Sequence, residues 1–254
     1  MSWTAVVLAG SRPGRDAFAQ QFGTDLKPLI PIAGEPMVRR PVRALLDTKA
    51  IGSILVLGQA PDRIGAVLPK SRRIKVDYSQ RTIAETIENL ILKRVADFPI
   101  LVTTGDHALL DEQMVSEFIG QAAGADIAIG VVERRSLLAR LPQSKRTWVA
   151  FRGGAYSGAN LFAFGSIKAL AAIEQWRSVE QDRKKGWRVL AALGPALLLG
   201  ALLRLRTIDQ SVTAMARRLG MSARVVVLSN PLAAVDVDKP VDHAIVEAIL
   251  AGKA

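Results

Sequence analysis

The stretch AVVLAGSRPGR, residues 5–15, decides the fold. Ala5-Val6-Val7-Leu8-Ala9 is a short, wholly apolar run ending at Gly10, the pattern of a strand buried on both faces. Ser11, Arg12, Pro13, Gly14 and Arg15 then predict a loop. Gly and Pro punctuate the chain as far as residue 36, and a helix is expected at about 37–48. Apolar runs predict further strands at 54–57, 74–78, 100–104 and 127–132, with helices at about 62–68, 82–95 and 111–123. Ile83, Ile87, Leu90 and Ile91 share one helical stripe. This alternation predicts an α/β fold: a mostly parallel sheet with helices on both faces.

The second half is less regular. Residues 147–151 and 160–164 read as a strand pair split by a Gly-rich turn at 153–158. A helical insertion is expected near 166–220, then a strand at 225–228 and a closing helix at about 240–251. No repeat or low-complexity linker interrupts the chain, so residues 1–254 are expected to form one domain.

Composition narrows the function. Of 254 residues, 34 are Lys or Arg and 23 are Asp or Glu, a net charge of +11. Half are hydrophobic, which excludes a disordered chain. The absence of Cys excludes a disulfide scaffold, a zinc–cysteine site and a thiol nucleophile. The positive balance suggests an anionic partner. With two Tyr and seven Phe, a base-stacking surface has few aromatics, and no nucleic-acid partner is expected. The opening residues show no basic segment followed by a long apolar one, so a cytoplasmic protein is expected.

One apolar stretch stands apart. Between Arg188 and Arg204 lie 15 residues without a charge, too few for a bilayer-spanning helix of roughly 20 residues and interrupted by Gly194-Pro195. Core packing is the first expectation and a homodimer interface the second. The third is peripheral contact with an anionic membrane, at its inner face, aided by Lys184, Lys185 and Arg188.

Three segments carry chemistry. Leu8, Ala9, Gly10, Ser11 and Gly14 allow a backbone to approach a phosphate chain, while Arg12, Arg15 and Lys27 bring positive charge. Thr103-Thr104-Gly105-Asp106-His107 puts an acid at the carboxyl end of an expected parallel strand, where open α/β sheets bind ligands. Asp106 then either holds Mg²⁺ or caps the helix that follows, and His107 reads as a loop residue without a catalytic role. Val235-Asp236-Val237-Asp238-Lys239-Pro240-Val241-Asp242 is the third; two acids two apart on an extended strand point to one face. Either acid can supply a second metal ligand, or both serve as caps and turn formers. Asp242 suits the first turn of the closing helix.

Together these segments resemble the MobA-like NTP-transferase domain. The opening motif corresponds to LAGSRPG, Lys27 and Gly34-Glu35-Pro36-Met37; the metal motif to Gly105-Asp106-His107-Ala108-Leu109-Leu110; the tail to Asp236 through Asp242. Ala108 stands where the family usually has Pro and Lys239 where it usually has Thr, and the stretch from Arg12 to Lys27 is longer than usual. The resemblance implies a Rossmann-like sheet of the GT-A type. Residues 3–133 would bind nucleotide, 134–224 the acceptor, and 225–251 would close the fold. It implies that Lys27, Arg12 and Asp106 carry catalysis. Leu8 to Arg15, Lys27 and Gly105 would hold the nucleotide, and Mg²⁺ (or Mn²⁺) would sit on Asp106 with Asp238 or Asp236. Residues 78–89 lie where the family reads base and ribose, which points to Thr82, Glu85 and Thr86. Lys145, Arg146, Arg152, Ser157 and Asn160 are expected to grip a phosphorylated acceptor.

The implied activity is a nucleotidyltransferase (of the EC 2.7.7 type) joining an NTP to a phosphorylated sugar or polyol such as inositol phosphate, with CTP favoured slightly over GTP. A molybdenum-cofactor guanylyl- or cytidylyltransferase is the alternative within this chemistry. A basic nucleotide- or nucleic-acid-binding module without turnover is the alternative outside it. That module would account for the charge but not for acids at two strand ends.

Overall fold

The computed structural model describes residues 2–10, 16–181 and 205–253. Among them lie β1 (Trp3–Leu8), β2 (Pro31–Ile32), β3 (Glu35–Pro36), β4 (Ile51–Gly58) and β5 (Ile74–Tyr78). Then come β6 (Ile100–Thr104), β7 (Ile127–Glu133), β8 (Val149–Phe151), β9 (Gly154–Phe164) and β10 (Ala223–Val227). Seven strands run in the order β10–β7–β9–β6–β1–β4–β5, β8 adds to β9 as the eighth, and β2 with β3 forms a separate small hairpin. β1 pairs in parallel with both β4 and β6, and β4 with β5, while β9 inserts antiparallel between β6 and β7. This is the α/β, Rossmann-like, mostly parallel sheet expected.

The apolar runs are continuous because both faces of the sheet are covered. On β1, Ala5 and Val7 join one core cluster and Val6 the other. On β4, Ile54 and Val56 face the first cluster and Leu55 and Leu57 the second, following the two-residue period of a strand. Helices α2 (Arg39–Asp47), α3 (Pro61–Val67) and α5 (Glu112–Ala122) supply Val42, Leu45, Ile64, Val115 and Phe118 to the first cluster. The second is closed by α4 (Ile83–Leu92) and α7 (Leu170–Gln181), through Ala84, Ile87, Leu90, Ile91 and Ile173. Two short helices, α1 (Ala17–Gln20) and α6 (Arg134–Arg140), were not legible in the sequence. Asp16 and Glu133 cap their amino ends with carboxylate oxygens. The region near 166–220 is helical where described, in α7 and α8 (Ile208–Arg218), and α9 (Pro240–Leu250) ends the fold.

One expectation is corrected. The Gly-rich segment 153–158 is not the turn: β9 begins at Gly154, and Ala155 and Tyr156 already pair with Ala150 and Val149. The chain reverses at Arg152-Gly153, where Gly153 has φ 93°. The register then slips opposite Ile129–Val131, and in this bulge Asn160 has φ 49°. Gly130 faces the bulge at close range: a Cβ there would lie 3.0 Å from that of Leu161.

Candidate active site

The chain builds β1, β4 and β5 outward in one direction, then returns to place β6 on the other side of β1. The crevice at the carboxyl ends of β1 and β6 is therefore a topological switch point, where sheets of this type bind ligands. Leu8, Ala9 and Gly10 enter it from β1, and Gly105 and Asp106 from β6; Lys27, Pro28 and Met37 complete the lining. The two strand ends touch. The Gly105 amide donates to the Leu8 carbonyl at 2.9 Å, and a Cβ on Gly105 would lie 3.2 Å from Ala9 Cα.

Three charged groups meet here. Lys27, in a 3₁₀ turn over Lys27–Leu29, donates from Nζ to Asp106 Oδ2 at 2.6 Å and to Asp238 Oδ1 at 2.5 Å. The backbone sets this up: the Val237 amide donates to the Asp106 carbonyl at 3.2 Å, which lays the 236–238 segment beside the end of β6. Burial alone would lower the Lys27 pKa, but the two carboxylates outweigh it and raise it above its ordinary 10.5. Asp106 does not cap the next helix; Asp111 does, accepting the Met114 amide at 2.7 Å. Among the described residues Asp106 Oδ1 is buried without a hydrogen-bond partner, as is Thr104 Oγ1 on the same strand end.

Asp236 is engaged elsewhere. Its two oxygens accept from Arg146 Nη1 at 2.5 Å and Nη2 at 3.2 Å, and Oδ2 also accepts from Asn160 Nδ2 at 2.9 Å. Arg146 Nε donates to Ser157 Oγ at 3.3 Å. Burial would raise the Asp236 pKa, yet Arg146 and Asn160 outweigh it and hold it below 3.8. The expectation that Asp236 and Asp238 act from one face of a strand is thus corrected. Residues 235–238 follow a 3₁₀ turn and lie outside any strand, and the two acids have separate partners. Asn160 delivers its amide from the β9 bulge in a backbone region that Asn tolerates better than most residues.

His107 lies in the loop after β6, as expected, and is completely buried there. Its Nδ1 lies 3.2 Å from Thr103 Oγ1. Burial outweighs the opposing pull of Asp106 and Asp236 and lowers its pKa from 6.5 to about 4, so the ring is neutral at pH 7.

The remaining expected residues are dispersed. Thr82 caps α4, accepting the Glu85 amide at 3.1 Å. The Thr86 hydroxyl donates to the Thr82 carbonyl at 2.7 Å and accepts the Gln80 amide at 3.1 Å, so local backbone occupies it. Lys145 is exposed, and Arg152 at the β8–β9 turn donates to Gln210 on α8 at 3.2 Å. Ser11, Arg12, Gly14 and Arg15 lie outside the described residues, as does the apolar stretch 189–203. Asp242 is in the first turn of α9 and accepts the Asp238 amide at 3.1 Å.

Sequence reasoning missed two supports of the site. Arg40 Nε donates to the Ala108 carbonyl at 2.7 Å, tying α2 to the loop after Asp106. Arg63 makes a two-pronged pair with Asp25, two residues before Lys27, at 3.1 and 2.7 Å. The only signal for the first was the close spacing of Arg39, Arg40 and Arg43 after Glu35, which all three approach.

The donor set fits a hard cation. Asp106 and Asp238 offer carboxylate oxygens, and one of the Asp106 oxygens is buried and has no partner among the described residues. Among the described residues no group of three His, Cys, Asp or Glu gathers. Two carboxylates suffice for Mg²⁺, which takes its remaining ligands from phosphates and water.

Comparison with known proteins bears on the family and the fold. The model of the MobA-like NTP transferase domain matches residues 5–205. A hypothetical transferase from Thermus thermophilus is 29% identical, covers 96% of this chain and 100% of its own, and superposes with a TM-score of 0.80. The 4-diphosphocytidyl-2C-methyl-D-erythritol synthase of Anaerococcus prevotii is 14% identical over 98% of this chain and 96% of its own, with a TM-score of 0.64. The 2-C-methyl-D-erythritol 4-phosphate cytidylyltransferase of Thermus thermophilus is 16% identical over 98% of both chains, with a TM-score of 0.52. The last two share the fold alone. Among curated proteins none matches the chain.

Proposed function

Since the chain belongs to the MobA-like NTP transferase domain family, we propose that this nucleotidyltransferase joins CTP, or less readily GTP, to a phosphorylated sugar or polyol such as inositol phosphate. The observation that carries the reading is the convergence of Asp106, Lys27 and Asp238 at the switch point of the sheet. A polyol acceptor and CTP are supported by two solved structures of like fold, whose names state cytidylyl transfer to 2-C-methyl-D-erythritol 4-phosphate or its product.

In this reading an acceptor phosphate oxygen attacks the α-phosphorus. The new P–O bond forms as the bond to the β-phosphate bridging oxygen breaks, and pyrophosphate leaves with that electron pair. The attacking phosphate is already ionised, so no general base is required, and the neutral His107 has no proton to remove. Catalysis rests on positioning and on neutralising the charge that builds on phosphate oxygens. Lys27 supplies a point charge to the phosphates, and the sequence motif assigns Arg12 and the rest of residues 10–15 to the same task. Asp106 and Asp238 would hold Mg²⁺, or Mn²⁺ in its place, which supplies Lewis-acid neutralisation of the phosphates when bound. Asp236, held by Arg146 and Asn160, instead fixes Arg146 at the acceptor side.

The test is a screen of the four NTPs against phosphorylated sugars and polyols, inositol phosphate included, reading pyrophosphate and the nucleotide-linked product. Product from CTP with a phosphorylated polyol supports the reading. Product from a molybdenum-cofactor acceptor alone would replace it, and nucleotide binding without product would leave a binding module. The enzyme is placed in the cytoplasm, with residues 184–206 in the core, at a homodimer interface or against an anionic inner membrane face. Among the described residues no helix is long and apolar enough to cross a membrane. Flotation with anionic vesicles that fades with salt would select the membrane surface. Without flotation, sedimentation as a dimer would select the interface and as a monomer the core.

A further inference from the structure

We infer that Lys27 serves as an internal counter-ion, lying between Asp106 and Asp238 where the divalent cation belongs, so that metal and nucleotide each strengthen the binding of the other. This rests on the nucleotidyltransferase reading and adds a coupling between its two ligands. The carboxylate oxygens nearest the centre of the site, Asp106 Oδ2 and Asp238 Oδ1, lie 2.6 and 2.5 Å from one Nζ. A divalent ion on either oxygen, at a bond length of about 2.1 Å, would lie within about 5 Å of that ammonium. The two carboxylates balance a divalent ion alone; with the ammonium also present the site carries an uncompensated positive charge, which weakens metal binding. Lys27 and Asp106 keep only 16% and 20% of their side-chain exposure, so water screens the repulsion poorly on the Asp106 side, while Asp238, 56% exposed, faces solvent.

A polyphosphate removes the conflict. Its oxygens accept from the ammonium and bind the metal at once, leaving both carboxylates to the metal. The move demands little of the backbone. Lys27 is fixed in its 3₁₀ turn by the adjoining Pro28, and the four-carbon stem above it rotates freely enough to redirect Nζ. Because binding linkage is reciprocal, the nucleotide must tighten metal binding by the same factor by which metal tightens the nucleotide. Lys27 thereby keeps bare metal out of an empty site.

The experiment is Mn²⁺ binding, followed by the electron paramagnetic resonance of the free ion, on full-length protein with and without the non-reacting analogue α,β-methylene-CTP. The variants are Lys27→Met and Lys27→Gln, with Lys27→Arg retaining the cation and Asp106→Asn/Lys27→Met locating the metal. Thermal unfolding confirms that each is folded. Wild type is expected to bind Mn²⁺ at least about tenfold more tightly with the analogue than without it. Lys27→Met and Lys27→Gln should bind Mn²⁺ alone at least about tenfold more tightly than wild type, and lose most of the gain from the analogue. The arginine variant should behave as wild type, and the double variant should lose the enhancement. If both neutral variants bind Mn²⁺ no more tightly than wild type, while wild type still binds it with the analogue, the counter-ion role is overturned and the enzymatic reading stands. If no form binds Mn²⁺ even with the analogue, the metal-dependent reading fails and takes the inference with it.

Discussion

Acidification from pH 7.5 to 4.5 should cost this protein stability through one residue, His107. Its ring is fully buried and its pKa is lowered from 6.5 to about 4, so the unfolded chain binds a proton in this window that the native protein refuses. A group whose native pKa is depressed contributes stability above its unfolded pKa and loses it as pH falls toward the native one. With these two values the loss between pH 7.5 and 4.5 is about 2–3 kcal/mol. The carboxylates contribute little here because their unfolded values lie below the window. Urea unfolding at both pH values, on wild type and His107→Gln, measures it. The variant is less stable overall, since it gives up a packed ring and the Thr103 contact, but its pH-dependent difference should shrink by about 2–3 kcal/mol. An equal loss in both proteins would refute the assignment of this proton to His107.

The other predictions concern the site and its supports. Gly105→Ala should lower stability by about 1–3 kcal/mol in denaturant titration, because its Cβ would lie 3.2–3.3 Å from Cα and Cβ of Ala9 on a strand that cannot retreat. Asp236→Ala should cost about 2–4 kcal/mol by leaving Arg146 unpaired, whereas Asp238→Asn should change stability little and lower turnover. The reverse pattern would exchange their roles. Below pH 4, thermal unfolding should show a further loss that Asp126→Asn reduces. Hydrogen bonds from Ser166 and Ser222 lower the Asp126 pKa from 3.8 to about 2, so its stabilisation fades as pH falls through that interval.

The sheet was legible because burial on both faces writes itself as uninterrupted apolar runs. Val6 serves one core and Ala5 and Val7 the other, so no position in 5–9 admits a polar residue. β9 was harder: Gly154 and Gly158 read as turn residues, yet both lie within the strand, and its bulge is accommodated from β7, where Gly130 leaves room for Leu161. The place of Asp106 at a strand end was legible, and so was the loop that holds His107, but the complete burial of that ring was not, because it depends on packing from distant elements. The division between Asp236 and Asp238 could not be read from two like acids in one short motif. It depends on Arg146 and Asn160, 90 and 76 residues away, reaching one of them, and on Lys27, 211 residues away, reaching the other. Likewise nothing local reveals that the Thr86 hydroxyl is already spent on the Thr82 carbonyl and the Gln80 amide.

The central claim is that Asp106, Lys27 and Asp238 form the centre of a metal-dependent nucleotidyl transfer. Its most direct test is pyrophosphate release from CTP and a pool of phosphorylated polyols and sugars, comparing wild type in Mg²⁺, wild type in EDTA, and Asp106→Asn in Mg²⁺. Release is predicted to require both the acceptor pool and Mg²⁺, and to fall at least about 100-fold in Asp106→Asn, the loss typical of removing one electrostatic stabiliser. Undiminished release from Asp106→Asn, or full release in EDTA, would contradict it.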